Sequence, residues 1–470
     1  MSISGSAMVS IHSRRTPPGP RGHWLLGSLR ERRADPLGLF LRGRERYGDV
    51  VRYRMGSFTV YQLNHPDDVK RVLVDNVQNY RKTYLMQRLR PLLGNGLLLS
   101  EGDFWRRQRR LAQPAFHRER LAGMSTTMTD IIGHELQRWA PYAELGQPFD
   151  LASELTRLTL SLVGQVLFST DLSDSAGEVG RAMVDALEEG NRRALSVLPL
   201  PEFLPLPSNR RLREAVRVLD RVVFDIIDQR RGGAGLANDL LSLLMEMRDA
   251  DTGEGMSDRQ LRDEVMTLVL AGHETTANAL AWTFHLLQQH PEVEERLARE
   301  VASVLGERTP TASDLPRLSF TARVFDESLR LYPPAWLMSR RALAEDVLGG
   351  YPIPKGSIVA ILPYVLHRHP AFWERPEAFE PDRFLPERSG SRPRLAYLPF
   401  GGGQRLCIGN GLALMEGQLV LAMAMQRYRF RPVPGHRVEP QPLVTLRPRQ
   451  GLRVTARKVV PSATALGALA

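Results

Sequence analysis

The chain has 470 residues, 43% apolar and 24% charged, with 63 Lys and Arg against 52 Asp and Glu for a formal charge of +11. That apolar share can fill a sizeable core, which excludes a disordered chain; no run nears the ~18–20 apolar residues of a membrane-spanning helix. The arginines are scattered, and no nucleic-acid module accompanies them, so neither nucleic acid nor a membrane span is expected.

The first 30 residues lack the apolar stretch of a secretory signal. No Gly/Ser linker or internal repeat divides the chain, so residues 1–16 read as a flexible lead-in and residues 17–470 as a single domain. There is one cysteine, Cys407, which excludes an internal disulfide and suits a cytoplasmic protein.

After the proline-rich entry, Asp35 to Tyr47 reads as a short helix. Val50 to Tyr53 and Phe58 to Leu63 read as strands around a Met55-Gly56-Ser57 turn. The stretch TYLMQRLRPLLGNGLLL, between about Lys82 and Leu99, is unusually apolar for a loop. It is either a cover over a ligand pocket or a loop folded on the core. Gly102 to Phe116 forms a basic helix, with Trp105 and Arg109 four apart and so on one face. Helices follow at about Glu119–Trp139, Leu151–Phe168, Ala176–Leu195 and Asn209–Arg231, the last two flanking a proline- and leucine-rich hinge or lid. The predicted class is mainly α with a small β region.

The longest helix begins at Ser257, where Ser257 and Gln260 make a capping-box pattern, and His290-Pro291 stops it. Apolar residues nearly encircle it, as in a buried helix. At its centre lies Ala271-Gly272-His273-Glu274-Thr275-Thr276, where a mid-helix Gly costs about 1 kcal/mol relative to Ala, so something must offset it. Further on, Glu327 and Arg330 stand three apart in a helix. That spacing alone says nothing, because Glu135/Arg138, Glu154/Arg157 and Glu214/Arg217 repeat it. Ala335 to Arg341 reads as a strand after a proline turn, and Leu443 to Leu446 as a hairpin arm.

The chain is organised around Phe400 to Gly409, FGGGQRLCIG. Three glycines permit positive φ and a close backbone approach to a flat ligand. The apolar helix from Asn410 puts Cys407 at a helix N-terminus, whose unpaired N–H groups would stabilise a thiolate. A cysteinate so placed suits the axial ligand of haem iron.

Phe400, Gly403, Arg405, Cys407 and Gly409 match F-x-x-G-x-R-x-C-x-G, and the chain thereby resembles the cytochrome P450 superfamily, nearest in texture to bacterial pentalenene-oxygenase-like members. The resemblance covers nearly the whole chain with its motifs in the family's order. It implies the cytochrome P450 fold as a single haem-thiolate domain, haem b as cofactor and Cys407 as the iron ligand. Trp105, Arg109 and Arg340, with Arg341 as the alternative to Arg340, would hold haem propionates. Ala271 and Gly272 would make room for dioxygen, and Glu274 and Thr275 would relay protons to it. Glu327, Arg330 and Arg383 would form a buried structural triad. A substrate pocket is implied at Leu89, Leu268, Pro334, Ala335, Trp336, Leu337, Val444 and Thr445.

The implied reaction inserts one oxygen atom of O2 into an unactivated C–H bond of a lipophilic substrate, a terpene ahead of a fatty acid or a steroid. About 60 residues follow Cys407, so no flavin reductase is expected on the chain. A separate ferredoxin and its reductase are implied instead, docking on Arg106, Arg107 and Arg110 of a monomer. The rival readings are a peroxide-driven haem-thiolate enzyme, which would dispense with Glu274 and Thr275, and a non-catalytic haem sensor.

Overall fold

Asp35 opens the first long helix by accepting the Gly38 N–H, with Pro36 preset at the first helical position. In the computed structural model, residues 16–172, 176–195, 204–232, 239–248 and 253–459 are described; residues 1–15 and the 196–203 part of the proline- and leucine-rich stretch lie outside them. Helix α1 (Pro36–Tyr47) leads into strands β1 (Val50–Met55) and β2 (Phe58–Leu63), both within two residues of their predicted ends. Then come β3 (Tyr80–Lys82) and the basic helix α2 (Gly102–Ala112). The apolar loop between them carries two single-turn helices, Tyr84–Gln87 and Arg90–Leu93.

The helix predicted over Glu119–Trp139 is two helices, Arg118–Gly123 and Ser125–Gln137. The break follows Gly123, a poor helix former, although Gly133 is carried within the second helix. Helices α3 (Leu151–Phe168), α4 (Ala176–Leu195) and α5 (Pro207–Arg231) follow.

Helix α6 (Asp258–Gln289) starts on a complete capping box: Ser257 Oγ accepts the Gln260 N–H while the Gln260 side chain accepts the Ser257 N–H. Its 32 residues reach about 48 Å at 1.5 Å per residue and pack along α3. Two mutual fits hold that crossing. Thr159 Oγ1 donates to the His273 carbonyl oxygen at 3.0 Å, and a Cβ on Gly272 would stand 3.0 Å from a Val163 methyl. The glycine at the centre of α6 therefore admits α3, which is one offset for its low helix propensity.

Helix α7 (Ser319–Leu331), strands β4 (Met338–Ala342) and β5 (Ile358–Ile361), and helix α8 (Asn410–Arg427) complete the scaffold around the cysteine loop. The strand predicted from Ala335 begins only at Met338, because Pro333 and Pro334 keep residues 333–337 irregular. The main sheet runs β1-β2-β5-β4-β3, with β2 and β5 parallel and the other pairs antiparallel. Near the end, β6 (Pro440–Pro442) and β7 (Leu446–Pro448) pair, so Leu443 to Thr445 form the tip of a hairpin and not an arm. One large core lies among the helices, and two smaller ones sandwich the sheet.

Candidate active site

The loop before α8 is closed by its own backbone. The Cys407 N–H donates to the Phe400 carbonyl at 3.0 Å, and the Gly401 N–H to that of Leu398 at 3.1 Å. Gly401 and Gly403 take φ of 75° and 64°, in the region that favours glycine. Gly403 also lies against an earlier turn, where a Cβ would come within 2.0 Å of the Leu73 carbonyl oxygen.

Cys407 keeps accessible surface although protein surrounds it closely enough that burial pushes its thiol up; the Gly409 N–H and the Arg109 guanidinium oppose that shift. The Gly409 N–H at the helix terminus thus acts in the thiolate's favour, against burial. Surface kept by a residue inside dense protein is what a side chain facing an interior space shows. Helix α6 shows the same sign: residues 261–270 are buried, as are 276–284, while Ala271 between them is exposed and Gly272, Glu274 and Thr275 are half-buried. Ala335 is likewise exposed between buried Pro334 and Trp336.

Thr275 Oγ1 donates to the Ala271 carbonyl at 2.6 Å, so in this state its oxygen can only accept a further hydrogen bond. Glu274, lodged among protein groups, is pushed up by burial and drawn down by the Thr445 hydroxyl, which donates to its Oε1 at 2.7 Å, and by Arg447. His273 faces away into the core, is held down to about 4 by burial, and stays neutral.

On the sheet side, Lys82 lies directly opposite Arg340 in the β3–β4 pair, and like charges facing across strands are unfavourable without a counter-charge. Arg405 stands close enough to disfavour the charge on Lys82, as Arg340 disfavours that on Arg405. Burial first, then Arg405 and Arg340, bring Lys82 to about 7, and burial with Arg340 brings Arg405 to about 10. Glu101 offsets part of this, accepting the Lys82 N–H at 2.8 Å and an Arg405 Nη2 bond at 2.8 Å. Glu264, itself pushed to about 7 by burial, adds a weaker attraction for Lys82. Arg340 is turned inward, and Arg341 is exposed. No local pattern marks Lys82, Glu101 or Glu264, because only the strand pairing and the loop contacts assemble them.

The Trp105 and Arg109 pair is divided. The Arg405 guanidinium covers the Trp105 ring at 3.7 Å from its centroid. Arg109 Nη1 donates to the Leu406 carbonyl at 2.9 Å and its Nε to Gln113 Oε1, so Arg109 braces the cysteine loop from outside.

Glu327, Arg330 and Arg383 come together in the interior. Arg330 donates to both Glu327 oxygens, at 2.7 and 2.8 Å, and Arg383 Nε reaches Glu327 Oε1 at 3.3 Å. Arg330 further binds the carbonyls of His367, Pro376 and Ala378, which fixes the irregular chain ahead of the cysteine. The same spacing at Glu214/Arg217 gives an exposed pair, and at Glu154/Arg157 a half-buried one that joins Glu135 and the Trp139 indole but no loop carbonyls.

The pocket candidates separate by role. Leu89 is buried against Gly190 of α4, and Leu268 is buried on α6. Leu337 packs on the sheet-side core and Val444 on the helical one. Trp336 is an anchor: its indole N–H donates to the Leu443 carbonyl at 2.9 Å, and the Pro334 carbonyl accepts the Leu446 N–H at 2.9 Å. Together they hold the hairpin tip beside α6.

The residues fit a haem. A soft sulfur donor with accessible surface stands in a glycine cradle, and an excess of buried cations suits the two carboxylates of its propionates. A family model described as Cytochrome P450 matches residues 17–455. Among curated proteins, the chain is 42% identical to cyclooctatin synthase of Streptomyces melanosporofaciens, over 87% of this chain and 88% of that protein. It is 38% identical to cyclooctat-9-en-7-ol 5-monooxygenase of the same organism, over 84% and 85%. It is 36% identical to pentalenene oxygenase of Streptomyces avermitilis, over 89% and 92%.

Proposed function

The chain belongs to the cytochrome P450 family of haem-binding monooxygenases, and from that premise we propose that it hydroxylates a terpene with electrons from a separate ferredoxin. The observation that carries the reading is that Cys407 keeps accessible surface inside dense protein, at the head of a helix packed on α6 where Ala271, Gly272, Glu274 and Thr275 interrupt the buried run. When bound, the haem supplies the chemistry that activates O2 for insertion into a C–H bond.

The chain's own residues do the rest. Cys407 Sγ would hold the iron, and the cations Lys82, Arg340 and Arg405 would hold the propionates. Glu274 is the proton-carrying group, its neutral carboxyl favoured by burial, and Thr275 Oγ1 is left able to accept a hydrogen bond on the pocket side. Leu89, Leu268, Ala271, Ala335, Leu337 and Val444 offer no charge to an occupant, which suits a hydrocarbon body, and three relatives are named for cyclooctatin, cyclooctat-9-en-7-ol and pentalenene. For the ferredoxin, Arg106 and Arg110 are exposed beside a shallow cleft of about 400 Å³ on α2, whereas Arg107 is half-buried and donates to the Glu254 carbonyl, so the docking patch narrows to the first two.

The test is spectral. The reduced protein under carbon monoxide should show the red-shifted Soret band of sulfur ligation, and Cys407→Ser should lose it. Titration with terpene hydrocarbons, fatty acids and steroids should give the water-displacement shift for a terpene; a response confined to fatty acids would overturn the substrate class. Charge reversal at Arg106 and Arg110 should slow reduction by ferredoxin at low salt.

A further inference from the structure

The carboxyl of Glu274 does not stand alone on α6. Its Oε1 accepts the Thr445 hydroxyl at 2.7 Å, from the tip of the β6–β7 hairpin, and Asn278, one turn along α6, donates to the same Thr445 oxygen at 3.2 Å. Two residues on, Arg447 acts on the Glu274 charge while its Nη2 binds Glu188 Oε1 of α4 at 2.7 Å and its Nε binds Gln441. The Glu188 side chain is 45% exposed, against 22% for Arg447, so the groups acting on Glu274, by hydrogen bond at Thr445 and by charge at Arg447, lead from the centre of α6 toward the surface. The hairpin is itself anchored: the Trp282 and Trp336 indoles donate to the Leu446 and Leu443 carbonyls at 3.0 and 2.9 Å.

Resting on the reading of Glu274 as the proton donor, we propose that Thr445 and Arg447 are positioning residues for that carboxyl, and that it recovers its proton from solvent at the Arg447–Glu188 end. Thr445 fixes which oxygen faces the pocket. Its oxygen accepts from Asn278 while its proton goes to Glu274. Arg447 keeps its charge throughout and carries no proton. In each cycle Glu274 releases one proton toward Thr275 and takes one from solvent water, so the carboxyl is unchanged and no other reactant is required. Because Glu188 lies on α4, the charge balance at Glu274 also depends on where that helix sits.

The groups facing Glu274 make the test two-signed. In the haem-loaded protein, the Glu274 carboxyl is followed by its infrared C=O band across pH, assigned by its absence in Glu274→Gln. Thr445→Val removes a donor to the carboxylate and should move the titration upward by about one pH unit, and Thr445→Ser should restore it. Arg447→Gln should also move it upward, whereas Glu188→Gln, which leaves Arg447 uncompensated, should move it downward. Opposite shifts from the two members of one ion pair are not what a loosened hairpin produces. A titration that stays put in Thr445→Val and Arg447→Gln, or moves the same way in Arg447→Gln and Glu188→Gln, overturns the proposal. The donor role of Glu274 is checked separately, by the product formed per oxygen consumed in Glu274→Gln, so the two ideas fail by different measurements.

Discussion

His367 Nε2 accepts the N–H of Leu398 at 3.0 Å, while its Nδ1 faces the Arg330 carbonyl oxygen at 3.1 Å. An accepting Nε2 requires the proton on Nδ1, so both bonds hold only for the neutral ring. Burial and three nearby arginines push His367 down to about 3, from an ordinary 6.5. It ties the buried ion cluster to the strand of chain that enters the cysteine loop.

The sign of its pH dependence follows. Above about 6.5 the ring is neutral folded or unfolded and contributes no slope; below it, the unfolded chain takes up a proton that the folded one refuses. Stability therefore falls as pH drops from about 6.5 toward 3, by up to roughly 1.4 kcal/mol per unit for this ring. Denaturant titrations between pH 7 and 4 should show this fall, and His367→Gln should make it shallower by one proton.

Glu327 is expected to tolerate nothing that removes its charge. Glu327→Gln would leave Arg330 and Arg383 buried against a neutral amide, a loss of about 3–5 kcal/mol. Thermal unfolding and haem content should both fall, whereas Glu214→Gln, at an exposed pair of the same spacing, should change neither measurably.

Lys82 should matter to haem retention more than to folding. Its charge is held against burial and two arginines, a state that partner carboxylates would relieve. Haem transfer from Lys82→Ala to apomyoglobin should run about tenfold faster than from the native protein, the equivalent of one charge-assisted hydrogen bond. Lys82→Arg should recover most of the difference, and an unchanged transfer rate would remove Lys82 from the site.

Gly403→Ala should disable the cysteine loop. The position combines a φ of 64° with a Leu73 carbonyl oxygen 2.0 Å from the new methyl, so backbone must move as well as rotate. The left-handed conformation alone costs about 1–2 kcal/mol. Haem incorporation should drop sharply, whereas Gly435→Ala, at positive φ but in open space, should lower the melting temperature only slightly.

What the sequence made legible was what it carries locally. The cap at Ser257, the glycine turn at Cys407 and the long buried helix each follow from neighbouring residues, and the structure shows them within a residue or two. What it concealed was assembled across distance. Lys82 meets Arg340 only because β3 pairs with β4, and Thr445 meets Glu274 only because two indoles and a proline carbonyl seat a late hairpin beside α6. Arg109 kept its predicted face but turned its guanidinium to a loop carbonyl, a choice of acceptor that helical spacing does not encode. The glycine in α6 was read as room for a small molecule; its nearest neighbour is a methyl of Val163, so helix packing shares that residue.

The contact between Gly403 and Leu73, and that between Arg405 and Glu101, bear on how this chain can be recombined with its relatives. Both join the cysteine loop to segments some three hundred positions earlier. A chimera with one crossover between them would import a loop shaped for another parent's turn and another parent's carboxylate, whatever the identity around the splice. Productive hybrids should exchange residues 71–112 and 398–411 as a unit, and libraries that separate them should be rich in well-expressed, colourless protein.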